Sequence, residues 1–149
     1  MKTFNFLFSA VIAVFVSISA NAQTVDTHHK KVAEHHTGLH QKHEALNSGN
    51  VKDHKKHANE VGSQLDSAKK HHGELYKKMS DKDKVKTQEH HDAIKKHHAS
   101  ATEHHKAMKE EASKPNPDQT KMKTHSKNID TDITEAEKHH NEIKKQTGK

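Results

Sequence analysis

His90-His91-Asp92-Ala93-Ile94-Lys95-Lys96-His97-His98-Ala99-Ser100-Ala101-Thr102-Glu103-His104-His105-Lys106-Ala107-Met108 repeats a doubled histidine every seven residues. A small or apolar residue (Ile94, Ala101, Met108) follows three positions after each pair. Seven residues are two helical turns, so both series run as stripes along one side of a helix. Calling the apolar stripe position d puts the second histidine of each pair at a, facing inward, and the first at g, on the flank.

The same phasing extends in both directions. Upstream, Val25, Val32, Leu39 and Leu46 form a seven-residue series around His28-His29 and His35-His36, followed by His40 and His43. This predicts a helix over 24–47, ended by the turn residues Asn47-Ser48-Gly49-Asn50. A second series, Val51, His54, Ala58, Val61, Leu65, Ala68, His72, Leu75 and Met79, steps by threes and fours up to a break at Ser80-Asp81-Lys82-Asp83. Either Ser80 or Asp81 suits the next N-cap. The quoted stretch continues this third helix from Thr87 to Ala112, and Pro115 and Pro117 end it. From about Asp118 a fourth helix carries Met122, Ile129, Ala136 and Ile143, with His125 and His139-His140 between them. Four helices joined by short breaks predict an all-α, antiparallel up-down-up-down four-helix bundle with histidines in its seam.

The N-terminus reads differently. Met1-Lys2, an apolar run from Phe4 to Ile18 and Ala20-Asn21-Ala22 before Gln23 match a secretory signal peptide. Residues 1–22 are therefore expected to be cleaved, leaving 23–149 as a single domain, periplasmic or secreted, without a stable membrane anchor. All four phenylalanines lie in the leader, so Tyr76 is the one aromatic among Phe, Trp and Tyr beyond it. About sixteen large apolar side chains remain, Val85 among them, each contributing roughly 1.5–3 kcal/mol when buried. Ordering costs about 1–2 kcal/mol per residue. The core is thin, and a metal-free chain is expected to pack loosely.

Composition removes several function classes. There is no cysteine, which excludes disulfides, thiolate metal sites and a lipidated cysteine. The basic residues are all lysine, interspersed with Asp and Glu. Loss of Lys2 takes the formal charge from +6 to +5. Without arginine forks or stacking aromatics the chain is not read as a nucleic-acid binder. No Gly-rich phosphate loop or nucleophile triad is visible. A di-iron site needs two inward Glu-x-x-His motifs; Glu137-Lys138-His139-His140 is the one such spacing involving these pairs, and Glu34, Glu89 and Glu103 fall at outward f positions. The protein is read as not an enzyme.

All 19 histidines lie beyond the leader. A single histidine is ordinarily a solvated polar residue. Nineteen in register with Val, Leu and Ile point instead to metal, for which neutral imidazole is the commonest ligand. Adjacent histidines diverge by about 100°, and those seven apart lie roughly 10 Å apart along the axis. Within one helix only His36/His40, His40/His43 and His54/His57 can share an ion, so other sites need ligands from several helices.

Folding the chain back at each turn supplies them. His43 comes opposite His54, His40 opposite His57, His72 opposite His91, His91 opposite His140, and His105 near His125 and Ser126. One end of the bundle collects His28, His29, His71, His72, His90, His91, His139 and His140. The middle holds His35, His36, His97 and His98 with Gln64 and Asp132. The other end holds His43, His54, His57, His104, His105 and His125. His98 has the poorest partners, because Leu65 and Ile133 face it at a.

Imidazole without thiolate suits Zn²⁺, Cu²⁺ or Ni²⁺, zinc and copper first, in several weak-to-moderate sites. Met79, Met108 and Met122 hint at Cu(I), but their inward positions read as core. In general kind the chain resembles small exported, histidine-rich, helical metal-binding proteins, acting as a monomer or homodimer. Two rival readings are a bis-histidine haem protein and a pH-responsive periplasmic stress or chaperone protein. The first lacks the aromatic pocket a porphyrin needs. The second is coupled to metal binding, since acid would both charge the seam and release metal.

Overall fold

The computed structural model describes residues 4–148, with side chains over 24–148. The expected signal peptide, residues 1–22, lies outside the residues whose side chains are described. Four helices form an antiparallel up-down-up-down bundle: α1 (Phe4–Asn47), α2 (His54–Lys78), α3 (Asp81–Ala112) and α4 (Gln119–Thr147). α1 packs against α2 and α4, and α3 packs against the same two, so α1 and α3 are diagonal across the core. Among the described residues no helix is long and apolar enough to cross a membrane.

The helix ends follow the local chemistry of the sequence. Asp53 caps α2 by accepting from Lys56 N–H at 2.8 Å, and Ser80 caps α3 through Asp83 N–H at 3.2 Å. Asp118 accepts from Thr120 and Lys121 N–H at the start of α4. Such caps satisfy backbone donors that have no partner inside the helix. Val51 thus lies before the α2 cap rather than inside the helix, and packs on the core from the loop. Buried Glu111 accepts from Asp118 N–H at 2.9 Å and pairs with Lys114 at 2.6 Å, tying the end of α3 to the start of α4.

The d residues fill the interior as their period dictates. With apolar a residues (Leu65, Met79, Ile133) they fall into two apolar clusters, one holding Leu46, Leu65, Met108, Met122 and Ile133, the other Val25, Leu75, Met79, Ile94 and Ile143. Val85 departs from the apolar inventory: it is 81% exposed, because it precedes the first inward d residue of α3, Thr87. Six of the inward a positions are occupied by His29, His36, His72, His91, His98 and His140, each at most 3% exposed.

Candidate metal centre

Position within the heptad decides what each histidine meets. The g flanks of α1 and α2 face each other, as do those of α3 and α4. His28 Nδ1 lies 3.2 Å from His71 Nδ1, and His90 Nδ1 lies 3.0 Å from His139 Nδ1. One level along, His35 Nδ1 donates to Gln64 at 2.7 Å and His97 Nδ1 to Asp132 at 3.2 Å. The rings of His35 and His97 stack on those of His71 and His139, at 5.5 and 6.0 Å between centroids. Each flank therefore carries three neighbouring imidazoles that are half-buried and reachable from solvent.

Inside, six of the a-position imidazoles form one continuous column. His29 Nδ1 is 2.7 Å from His140 Nε2, His36 Nε2 is 3.1 Å from His98 Nε2, and His72 Nε2 is 2.8 Å from His91 Nδ1. Edge contacts between His36 and His140, at 6.5 Å, and between His72 and His98, at 5.8 Å, join the three pairs. His91 closes the column by directing Nε2 at Met79 Sδ, 3.2 Å away, under the edge of the Tyr76 ring.

Burial keeps five of these rings uncharged. Desolvation, reinforced by neighbouring imidazoles, pushes His36 and His72 down to about 2 and His140 to about 3. Desolvation with a nearby lysine, Lys95 or Lys69, holds His91 and His98 at about 4. His71 and His139 are lowered by burial and by the partner across each flank. A neutral imidazole keeps a lone pair, which is the form a metal ion takes.

The eight-histidine end layer is present, and each member has a histidine partner: His28 with His71, His29 with His140, His72 with His91, and His90 with His139. Three expectations are corrected. His140 meets His29 rather than His91. His98, expected to be poorly partnered, meets His36 across the bundle diagonal, which reflection of neighbouring helices about their turns does not describe. His40 and His43 do not turn toward His57 and His54. His40 lies at e and faces α4, where its Nδ1 donates to Asp130 at 2.6 Å. His43 bonds Ser126 at 3.1 Å and Asn47 at 2.8 Å. Reflection gives the level of a residue along the bundle but not the neighbour it faces.

The far-end cluster is consequently dispersed. His54 accepts from Gln119, His105 donates to the Ala58 carbonyl at 2.9 Å, and His104 only lies along His125 at 6.1 Å. His57 is buried beside Lys42, and burial with that charge lowers its pKa. Among the described residues no three His, Asp or Glu side chains already converge tightly enough to enclose an ion. The ligands stand in pairs.

No family model, curated protein or solved structure matches this chain.

The chain does match itself. His28-His29, His35-His36 and Leu46 of α1 recur at the same spacing as His90-His91, His97-His98 and Met108 of α3. His57, Val61, Leu65, Ala68, His71-His72 and Leu75 of α2 recur as His125, Ile129, Ile133, Ala136, His139-His140 and Ile143 of α4. The two helical hairpins are variants of one pattern. This explains why the flanks match and why His36 and His98, equivalent residues, meet each other at the centre. Heptad phasing hides this longer period, since every helix already looks like every other. It also hides Asp130 and Glu137, carboxylates at e positions whose importance depends on which helix is adjacent.

Proposed function

We propose that this protein binds several divalent transition-metal ions, zinc, copper or nickel, and buffers or sequesters them as an exported, non-enzymatic protein of the periplasm or extracellular space. The observation that carries this reading is the set of five His–His pairs with N···N separations of 2.7–3.2 Å. Two nitrogens held at about 2.0–2.1 Å by one tetrahedral zinc ion stand roughly 3.3–3.4 Å apart. Each pair is thus a few tenths of an ångström from a two-ligand metal clip, with a shared proton where the ion would sit. Replacing that proton by a metal needs a change of tautomer in one ring and a slight parting of the two rings. The flank pairs are open to solvent and offer entry; the column beneath them offers further ligands.

Haem fits this arrangement less well. Axial imidazoles must stand on opposite faces of a macrocycle, whereas the core imidazoles touch one another directly, between helices with no other large aromatic side chain than Tyr76 among the described residues.

Calorimetric titration of the chain from Gln23 onward with Zn²⁺, Cu²⁺ and Ni²⁺, paired with circular dichroism melts, tests the reading. More than one ion per chain is expected. At free ion a hundredfold above Kd, one site adds about 2.7 kcal/mol, which raises Tm by roughly 10 °C in a domain of this size. Stoichiometry below one, or an unchanged melt, contradicts it.

A further inference from the structure

The α1/α4 seam brings two carboxylates, Asp130 and Glu137, to the imidazoles of His40 and His36, whereas the α3/α4 flank brings one, Asp132, to His97. His40 donates from Nδ1 to Asp130 at 2.6 Å, which leaves Nε2 with its lone pair directed at Glu137 Oε1, 3.4 Å away. His36 sits one turn earlier on the same face. Its Nδ1 is fully buried without a hydrogen-bond partner and lies 3.8 Å from the same Glu137 oxygen. An unsatisfied buried polar atom costs about 1–3 kcal/mol, so its persistence beside a carboxylate needs a reason.

Resting on the metal-binding reading above, we propose that His36 Nδ1, His40 Nε2 and Glu137 form the tightest cation site of this protein, a two-imidazole, one-carboxylate site for Zn²⁺, with Asp130 as the positioning residue for His40. The donor set is chemically coherent. Two histidines four apart on one helix plus a glutamate from another supply three zinc ligands and leave the fourth position to water. A carboxylate on the non-ligating ring nitrogen fixes the tautomer and raises ligand basicity. The His40–Glu137 separation already matches the roughly 3.3–3.4 Å that two ligands on a tetrahedral zinc require. The His36–Glu137 separation must shorten by about 0.4 Å, within reach of a carboxylate that is one-third exposed. Thr37 follows the first histidine, where a hydrolytic zinc helix would carry a glutamate, so the site is fitted for holding an ion and lacks that general base.

The repeat supplies an internal comparison. The equivalent α2/α3 seam puts Thr102 where His40 stands and Lys69 where Glu137 stands, and Lys69 Nζ donates to Thr102 Oγ1 at 3.3 Å. An ammonium occupies that position, and no cation will bind beside it. The two hairpins have diverged so that one seam attracts a cation and the other repels it. One such site per chain follows.

The test is calorimetric titration of Zn²⁺ into the chain from Gln23 onward, against a competing chelator, for wild type, Glu137→Gln, Asp130→Asn and the control Glu135→Gln. Glu135 pairs with Lys138 on the same helix, away from the seam. Wild type is expected to show one site tighter than the rest. Glu137→Gln should weaken that site at least tenfold, Asp130→Asn by 10- to 100-fold, and Glu135→Gln not at all, with the weaker sites retained in all three. His36 and His98 share one hydrogen bond through their Nε2 atoms, so only one of the two rings can ligate through Nδ1 at a time. Adding Lys69→Glu with Thr102→His to Glu137→Gln should therefore restore a site tighter than the rest, a readout that does not depend on any variant losing stability. If wild type binds zinc but Glu137→Gln and Asp130→Asn bind equally tightly and adding Lys69→Glu with Thr102→His changes nothing, this site is overturned while metal binding stands. If wild type takes up no zinc, both are overturned.

Discussion

Acid should unfold this bundle above the pH at which carboxylates titrate, and the size of the effect follows from the buried column. His36, His72, His91, His98 and His140 have folded pKa values of about 2 to 4, against about 6.5 for an unperturbed histidine. A depressed folded pKa means the unfolded chain binds protons that the folded one refuses. The stability these groups provide is fully present above about pH 6.5 and is lost as pH falls toward their folded values. At pH 6.0 each costs about 0.8 kcal/mol and at pH 5.5 about 1.4 kcal/mol, so the five together remove roughly 4 and then roughly 7 kcal/mol. These figures depend only on the folded values lying well below pH 5.5. Whole domains have about 5–15 kcal/mol to lose. His40 works in the opposite sense: burial opposes its charge, but the Asp130 hydrogen bond and Glu137 overcome that and raise its pKa. One such group offsets only a fraction of five. Urea unfolding of metal-free protein at pH 7.5 and 6.0, followed at 222 nm, should show a fall of about 4 kcal/mol, and the helix signal should collapse between pH 6 and 5 without denaturant. Equal urea midpoints at the two pH values would refute the neutral, buried column.

Further outcomes follow from single features. The double variant His36→Leu with His98→Leu replaces a buried hydrogen-bonded pair by apolar side chains; metal-free stability at pH 7.5 should change by less than about 1 kcal/mol, and the acid midpoint should move down because two titrating groups are gone. His36→Leu alone leaves His98 Nε2 without its partner and should cost about 1–3 kcal/mol in urea. Gly73 lies inside α2 with open space where a Cβ would stand, so Gly73→Ala should stabilise by about 0.5–1 kcal/mol, read as a raised Tm. Asp118→Ala removes the acceptor of two N–H groups at the start of α4 and should cost about 1 kcal/mol in the same assay.

The bundle was legible because its signal is local and redundant. Val25, Val32, Leu39 and Leu46 keep one period, Asp118 follows a proline break, and each helix confirms the next. Level along the axis is legible for the same reason, which is why the sequence places His28, His71, His90 and His139 in one end layer, where the structure pairs them. What the sequence withheld is lateral: which neighbour an e or g residue faces, and whether the diagonal closes. His40 illustrates the first, turning to Asp130 and Glu137 instead of His57, and the His36–His98 pair the second. Both depend on how four helices are arranged around one core, a property of the whole chain.

The most direct test of the central claim, that paired imidazoles are the metal ligands, is long-range ¹H–¹⁵N correlation spectroscopy of the histidine rings at pH 7.5 as Zn²⁺ is added. Paired ligation gives ring nitrogens of the paired set, His28, His71, His90, His139 and the buried column, metal-bound shifts in step with ion added beyond the first equivalent, which His36 and His40 take. It is contradicted if those signals stay fixed and the changes are confined to His54, His57, His104 and His125, which have no imidazole hydrogen-bonded to them.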